Sequence, residues 1–430
     1  MAAKNPRRPR VIYQNEFLYT SFDATGYHFN GQVKHNPYCD KRNIHFTECS
    51  GNLVRQLHRI QGANYGFSVQ YKDANEFGKI SRITQVMVDT PQVTLDFEYF
   101  LADGYNEQMM GFITDGERQA LGKHLTMDGR VGQNFFIVQA PEGHDVVKMN
   151  LADYGKDVKV VGLGNAFLSQ YAVMVEVGAI PKARVSFDCF NIRSYEGVCN
   201  LPIPAVDPNA ACPLSDVRFS IPDTYESFVY EQTKAKEQFI YQEGAGALAA
   251  GDVRVSLDDG AFLNITPDSL TEYHKGSAHI QGFTINAPLG TTKLNRLGNF
   301  YEYSKAINFP AVITVEIRAL VSELKNDRSV NELFSCPSKK HNLVLLLEDC
   351  RAVEECNGEL NPIHTNMAYY IKGAILDEES FESNVTDHKV VNIRFSTSIA
   401  GADDDSAGLF IYGKSFLPDR PKILAWGQPL

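Results

Sequence analysis

Acidic clusters are the first places where this chain could do chemistry. Asp403-Asp404-Asp405 offers oxygen ligands of the kind calcium prefers. A calcium loop gathers several such ligands at alternating positions, and no EF-hand-type pattern surrounds the triplet. The triplet therefore reads as a solvated acidic loop. Glu354-Glu355 and Glu378-Glu379 are paired carboxylates that could be set up as acid and base. Adjacent residues on a strand point to opposite faces, so surface charge is the simpler reading. Cys350 and Cys356 with His341 or His364 lack the spacing of a zinc site. Gly162 and Gly164 make a lone Gly-x-Gly without the third glycine of a dinucleotide loop, and are expected to be turn glycines. His274 and His279 are five apart and belong to no catalytic pattern, so a surface or capping role is expected. The chain has no Gly-x-x-x-x-Gly-Lys-Ser/Thr, no His-Glu-x-x-His and no Gly-x-Ser-x-Gly. No catalytic, cofactor-binding or metal-binding residue is expected, and no enzymatic activity.

Composition bounds the rest. The chain has 430 residues, 43% of them hydrophobic and 22% charged, which is ordinary globular usage and enough for two or three cores. A formal net charge of −11 argues against a surface that attracts nucleic acid. No apolar run is long enough to predict a membrane helix. The first ten residues carry Lys4, Arg7, Arg8 and Arg10 among prolines, with no apolar stretch behind them. They do not read as a secretory signal. A basic arm that orders on a neighbouring subunit fits an otherwise acidic chain better than one that binds phosphates. The 8 cysteines include no Cys-x-x-Cys pair and are expected to be reduced thiols. The sequons at Asn264 and Asn384 are expected to be coincidental. The lone tryptophan, Trp426, lies in the tail after Pro421 and reads as a docking anchor.

The elements that would position any site are strands. After Pro91, Val93, Leu95, Phe97 and Tyr99 alternate with polar residues. The same pattern follows Pro181 as Ala183, Val185 and Phe187, and follows Pro310 as Ile313, Val315 and Ile317. The third copy is shifted by one residue from its proline, a shift that a β-bulge could absorb. Further strands are expected at 63–71, 134–139, 159–163, 172–176, 252–257, 282–286, 342–347, 369–375, 389–395 and 408–412. Helices are expected from Asp223 toward Gly244, at Val330–Phe334 behind the capping box of Ser329 and Glu332, and at Asn52–His58. The Pro-rich stretch 201–222 and the segment 244–251 read as loop.

Several landmarks occur twice. Ile60-Gln61-Gly62 recurs as Ile280-Gln281-Gly282, and Phe77-Gly78 as Leu297-Gly298, both offset by 220 (280 − 60 and 298 − 78). Pro91 and Pro310 are offset by 219 (310 − 91). Landmarks at one spacing imply two copies of one structural unit.

Taken in order, Arg59–Gly62, Phe77-Gly78, Thr90–Tyr99, Gly164–Tyr171, Val177–Phe187, Leu294–Pro310 and Tyr369–Ala374 resemble bacteriophage virion structural proteins with tail-tube-like domains. The resemblance covers most of the chain from about 11 to 417, with two units where a simple tube subunit carries one. It implies a mainly β fold: two related antiparallel β-sandwich or barrel units of tail-tube type with few short helices. The expected division is a basic arm at 1–10, a first tube-like domain at 11–158, a second at 159–417 with a Pro-rich insertion at about 201–250, and a tail at 418–430. It further implies a structural subunit of a phage tail that forms hexameric or pseudo-hexameric rings. Those rings would stack around a lumen that conducts DNA without sequence-specific contact. Partners would be further copies and other tail or neck proteins, with no membrane, in a virion assembled in the host bacterial cytoplasm. Rival expectations are a neck, baseplate or head-decoration protein, and a β-rich carbohydrate-active hydrolase or sugar-binding module.

Overall fold

In a computed structural model, the structure describes residues 16–21, 28–29, 32–33, 53–126, 132–139, 159–196, 218–220, 253–257, 280–295, 297, 302, 304–320, 340–348, 365–382, 390–399, 401, 404 and 406–413. The fold is mainly β. The first strands are β1 (Glu16–Ser21), β2 (His28–Phe29), β3 (Gln32–Val33), β4 (Leu53–Gln56), β5 (Ile60–Ser68), β6 (Tyr71–Ala74), β7 (Thr84–Met87) and β8 (Gln92–Phe100). Two five-residue helices follow, α1 (Tyr105–Met109) and α2 (Gly122–Thr126). Then come β9 (Gln133–Gln139), β10 (Lys159–Glu176), β11 (Lys182–Cys189), β12 (Asn191–Glu196), β13 (Arg218–Ser220), β14 (Val253–Leu257) and β15 (Ile280–Pro288). The last are β16 (Thr291–Leu294), β17 (Ser304–Ile307), β18 (Val312–Leu320), β19 (Lys340–Glu348), β20 (Thr365–Glu382), β21 (Val390–Ser398) and β22 (Gly408–Gly413).

Among the described residues every strand pairing is antiparallel except that of β13 with β4. One path of strands runs β5-β8-β11-β10-β15-β18-β21-β20. The alternation read from the sequence decides its two faces. Leu95, Phe97, Tyr99, Val185, Phe187, Val315 and Ile317 are all buried on one face. The residues between them carry the polar face. The strands β10 and β20, each 18 residues long, leave this layer in their N-terminal halves and pair with β9 and β12, and with β19 and β22. β1 flanks β9 and β14 flanks β19. The two layers share one apolar core, in which Phe187 stacks on Phe97 at 6.1 Å and meets Phe135 at 4.6 Å. Gly373 sits inside β20 at φ 65, where a Cβ would lie 3.1 Å from both Ala407 and the Ser406 carbonyl, so a side chain there is strained and crowded and glycine is favoured.

The repeat is deeper than its sequence landmarks. β5 and β15 pair with β8 and β18 in one register, offset by 220 throughout: Ala63↔Phe97 matches Phe283↔Ile317. Even the irregularity at Ile60/Gly62 recurs at Ile280/Gly282. The hairpin β6–β7 matches β16–β17 at the same offset, Tyr71↔Met87 against Thr291↔Ile307. A second offset, 208, relates β9, β10 and β11 to β19, β20 and β21. Tyr171↔Val185 matches Glu379↔Ile393 (393 − 185), and the bulge at Leu168/Gln170 recurs at Leu376/Glu378. The correspondence makes β10 and β11 the first copies and β20 and β21 the second.

Other expectations need correction. Leu53–Gln56 is not helical but strand β4, because it pairs with β1 and β13 and those ladder bonds outweigh a weak local helix signal. Arg218–Ser220, inside the Pro-rich stretch, is the strand β13. The segments 159–163 and 172–176 belong to one strand. Gly162 and Gly164 lie inside that strand, Gly162 paired on both sides and Gly164 paired with Asn191 while it sits in the register shift opposite β9, and neither is a turn glycine. The one-residue shift at Pro310 is absorbed before β18 begins, since β18 runs in regular register with β21 and keeps the 220 offset to β8. The helices expected at 223–244 and 330–334 lie outside the described residues.

Candidate assembly surface

The residues singled out for chemistry do not converge. Glu378 and Glu379 sit in β20 on opposite faces, Glu378 opposite Arg394. Asp404 caps a turn by accepting the Ser406 N–H at 2.9 Å, a bond that lowers its carboxyl pKa. His341 is buried in β19 against the Phe395 ring. Cys189 is a buried free thiol, pushed up by burial. Asp403, Asp405, Cys350, Cys356, His274, His279, His364, Glu354, Glu355, Asn264, Asn384, Trp426 and the basic arm lie outside the described residues. Among the described residues, no group of three or more His, Cys, Asp or Glu could hold a metal ion.

A buried polar cluster that no motif announced lies in the core instead. Gly104 and α1 deliver Glu107 between the layers, where it accepts the Tyr99 hydroxyl at 2.6 Å and the Tyr171 hydroxyl at 3.1 Å. Tyr171 in turn meets the Tyr369 hydroxyl of β20 at 2.8 Å, so the cluster links the two repeats. Burial lifts the Glu107 carboxyl from 4.5 to about 7, against the pull of the two tyrosine bonds. The carboxyl and all three tyrosines are buried, so the cluster holds the fold and offers no substrate a way in.

The cluster gives a signed prediction. The native state binds the Glu107 proton more tightly than the unfolded chain does. Its stabilising contribution is complete below about pH 4.5 and is lost as pH rises through about 7. The size is about 3 kcal/mol at roughly 1.4 kcal/mol per pH unit. His58 and His124, both lowered to about 4 by burial, act in the opposite sense over an overlapping window. The Glu107 effect is therefore read as the difference between wild type and Glu107→Gln in urea titrations. Between pH 4.5 and 7 the wild type should lose stability relative to the variant, and a pH-independent difference would refute the assignment.

The junction between the repeats is the site with a constructed geometry. Its first part is strand addition: β10 pairs with β15 from Gln170↔Pro288 to Glu176↔Gly282, burying Val173 opposite Ile285. Its second part is a clasp. The hairpin β16–β17 of the second repeat reaches back over the first. Lys305 donates to the Asp188 carbonyl at 3.1 Å, lies over the Phe167 and Phe190 rings, and pairs with Glu302 at 3.6 Å. Lys293 donates to the Thr90 hydroxyl at 3.3 Å. Burial pushes Glu302 up and Lys305 down, while each opposes the other's shift.

The junction is head to tail, so each end of the chain displays one half of it. β5 is the first repeat's copy of β15, and β8 is its partner on one side. β20 is the second repeat's copy of β10, and beyond Ile375 its partner is β21. Among the described residues no strand joins the opposite edge of either. Most of the exposed large apolar side chains collect at these two ends. Tyr65, Phe67, Tyr71, Phe77, Ile80, Ile83, Val86 and Val88 mark the first, and Ile375 and Phe381 the second. At the internal junction the copies of the strand-edge positions are covered: Ile285, copy of Tyr65, Ala287, copy of Phe67, and Val173, copy of Phe381, are each 0% exposed, whereas Leu297, copy of Phe77 at the hairpin tip, stays exposed.

The polar face of the eight-strand path is hollowed. A depression of about 600 Å³ is lined by Glu176, Thr284, Glu316, Arg318, Ser380 and Arg394 among others. Among the described residues, carboxylates of Asp96, Glu98, Glu176, Glu316, Asp377 and Glu378 outnumber the cations Lys182, Arg184, Arg318 and Arg394 on this face. Its exposed ion pairs, Lys182–Glu98 at 3.2 Å and Arg394–Glu316 at 4.0 Å, contribute little to stability.

No family model matches the chain, and no curated protein does. Among solved structures, it is similar to a chain of the anti-feeding prophage cap, the tube-terminating cap. That chain is 10% identical, with 30% of this chain and 74% of that one covered, and a TM-score of 0.21. It is also similar to a chain of the sheath-tube complex of an extracellular contractile injection system, PVC, in the extended state. There the identity is 12%, the coverage 30% and 75%, and the TM-score 0.21. Likenesses this slight assign neither fold nor role.

Proposed function

We propose that this chain is a non-catalytic structural subunit of a phage tail or tail-like particle. Copies associate head to tail into a ring around a lumen. The single observation behind the reading is the internal junction, whose two halves reappear unmatched at opposite ends of the same chain. A contact between different surfaces of identical subunits is heterologous, and it gives a closed ring when its rotation divides a circle. Closure would also cover sheet edges that otherwise invite aggregation. Two repeats per chain suit a pseudo-hexamer of three copies as well as a true hexamer. The hollowed polar face supplies the lumen wall. Its excess of carboxylates disfavours phosphate binding, so DNA would pass without sequence-specific contact. Rings stacked as a tail tube, in a virion assembled in the host cytoplasm with other tail or neck proteins, complete the reading.

Electron micrographs of the purified protein test it. Annular particles with a central hole, some stacked, are expected. Compact monomers at high protein concentration would overturn it.

A further inference from the structure

The two unmatched ends carry enough detail to fix how one copy meets the next. We infer that β20 of one copy and β5 of the next pair as antiparallel strands in the register of β10 with β15, Phe381 standing opposite Tyr65. This rests on the head-to-tail reading above and goes beyond it by naming the residues in contact. The register follows from the two offsets. Val173 lies opposite Ile285 inside the chain. Adding 208 to the first gives Phe381, and subtracting 220 from the second gives Tyr65. By the same arithmetic Glu379 lies opposite Phe67, and Glu382 opposite Asn64. Both aromatic residues stand on the core side of the sheet, since Tyr65 is paired with buried Leu95 and Phe381 with buried Val391. They are 42% and 48% exposed, whereas their internal copies are fully covered. Aromatic side chains directly opposite on one face of an antiparallel pair attract each other. The occupant is a second copy of this chain, because the geometry that would cover these edges already exists once within each molecule.

The clasp extends the same inference. The hairpin β6–β7 would lie over the neighbour's Ile375, the copy of Phe167, as β16–β17 lies over Phe167 itself. Ile375 is 36% exposed where Phe167 is buried.

Cross-linking tests the register. Protein carrying Tyr65→Cys is mixed with protein carrying Phe381→Cys, assembled, oxidised, and mapped by mass spectrometry of the linked peptides. A disulfide joining position 65 to position 381 is expected at least about tenfold above the wild-type background at those peptides. Asn64→Cys mixed with Phe381→Cys is the control, since position 64 points to the other face; it should stay at background. Sedimentation before oxidation separates the two claims. Rings without the 65–381 link, or with the control link equally strong, would overturn the register and leave the ring standing. Absence of any oligomer would overturn both. Tyr65→Asp, checked for an unchanged circular dichroism spectrum, should raise the protein concentration needed for assembly at least about tenfold. An unchanged assembly threshold would count against the pairing.

Discussion

Replacing Phe187 by alanine should lower the unfolding free energy by about 3–5 kcal/mol. The residue faces inward from β11, is 1% exposed, and contacts both Phe97 and Phe135. Those partners come from β8 and β9, so the ring fills the space between the two layers. Its neighbours are fixed by strand pairing on both sides and cannot collapse into the void, which places the cost toward the upper part of the range. Urea titration of the wild type and the variant gives the number. It should be taken in a Tyr65→Asp background, so that assembly does not contribute to the apparent stability. Phe77→Ala is the contrast, because Phe77 is fully exposed at a hairpin tip. Its effect should stay within about 0.5 kcal/mol. Similar costs for the two variants would mean that the layers do not share the core described above.

Lys305→Met should cost about 3 kcal/mol, through a different cause. The substitution keeps the apolar stem over Phe167 and Phe190 but removes the charge opposite Glu302. A carboxylate that loses its buried partner must stay charged in a poor solvent or take up a proton, and either is unfavourable. Among the described residues Glu302 Oε2 has no hydrogen-bond partner, which sharpens the effect. Adding Glu302→Gln should recover part of the loss, so the double variant is more stable than the sum of the single changes predicts. Simple additivity would show that the pair does not hold the hairpin to the first repeat.

The Pro-led strands were legible because alternation survives in every one of them: Val93 to Tyr99, Ala183 to Phe187 and Ile313 to Ile317 all proved half-buried or buried on one face. The 220 offset was legible at two landmarks and, to within one residue, at the prolines 91 and 310. The 208 offset was not. The segments between β8 and β10 and between β18 and β20 differ in length, and the matched residues share side-chain placement rather than identity, as Tyr171 and Glu379 show. The hairpins β6–β7 and β16–β17 were missed because neither has an apolar face of its own; each is too short for a period to register. The strand β4 was misread because four residues carry too little pattern to outvote a helix signal, and only pairing with β1 decides its state. Glu107 belongs to no motif. Its role depends on tyrosines that are near in sequence in one case and 64 residues away in another. The assembly surface has no signal in the sequence, because it shows only as the difference between a covered position and its exposed copy, as between Ile285 and Tyr65.

Hydrogen exchange on the assembled protein, compared with the Tyr65→Asp variant, reads directly whether β5 and β20 pair between copies. In β5 and in β20 beyond Ile375, successive amides point to alternate edges, so those already bonded to β8 or β21 are protected in both proteins. The remaining amides within Gly62–Ser68 and Glu378–Glu382 should exchange slowly in the wild-type assembly and rapidly in the variant. Equal exchange of those amides in the two proteins would contradict that pairing.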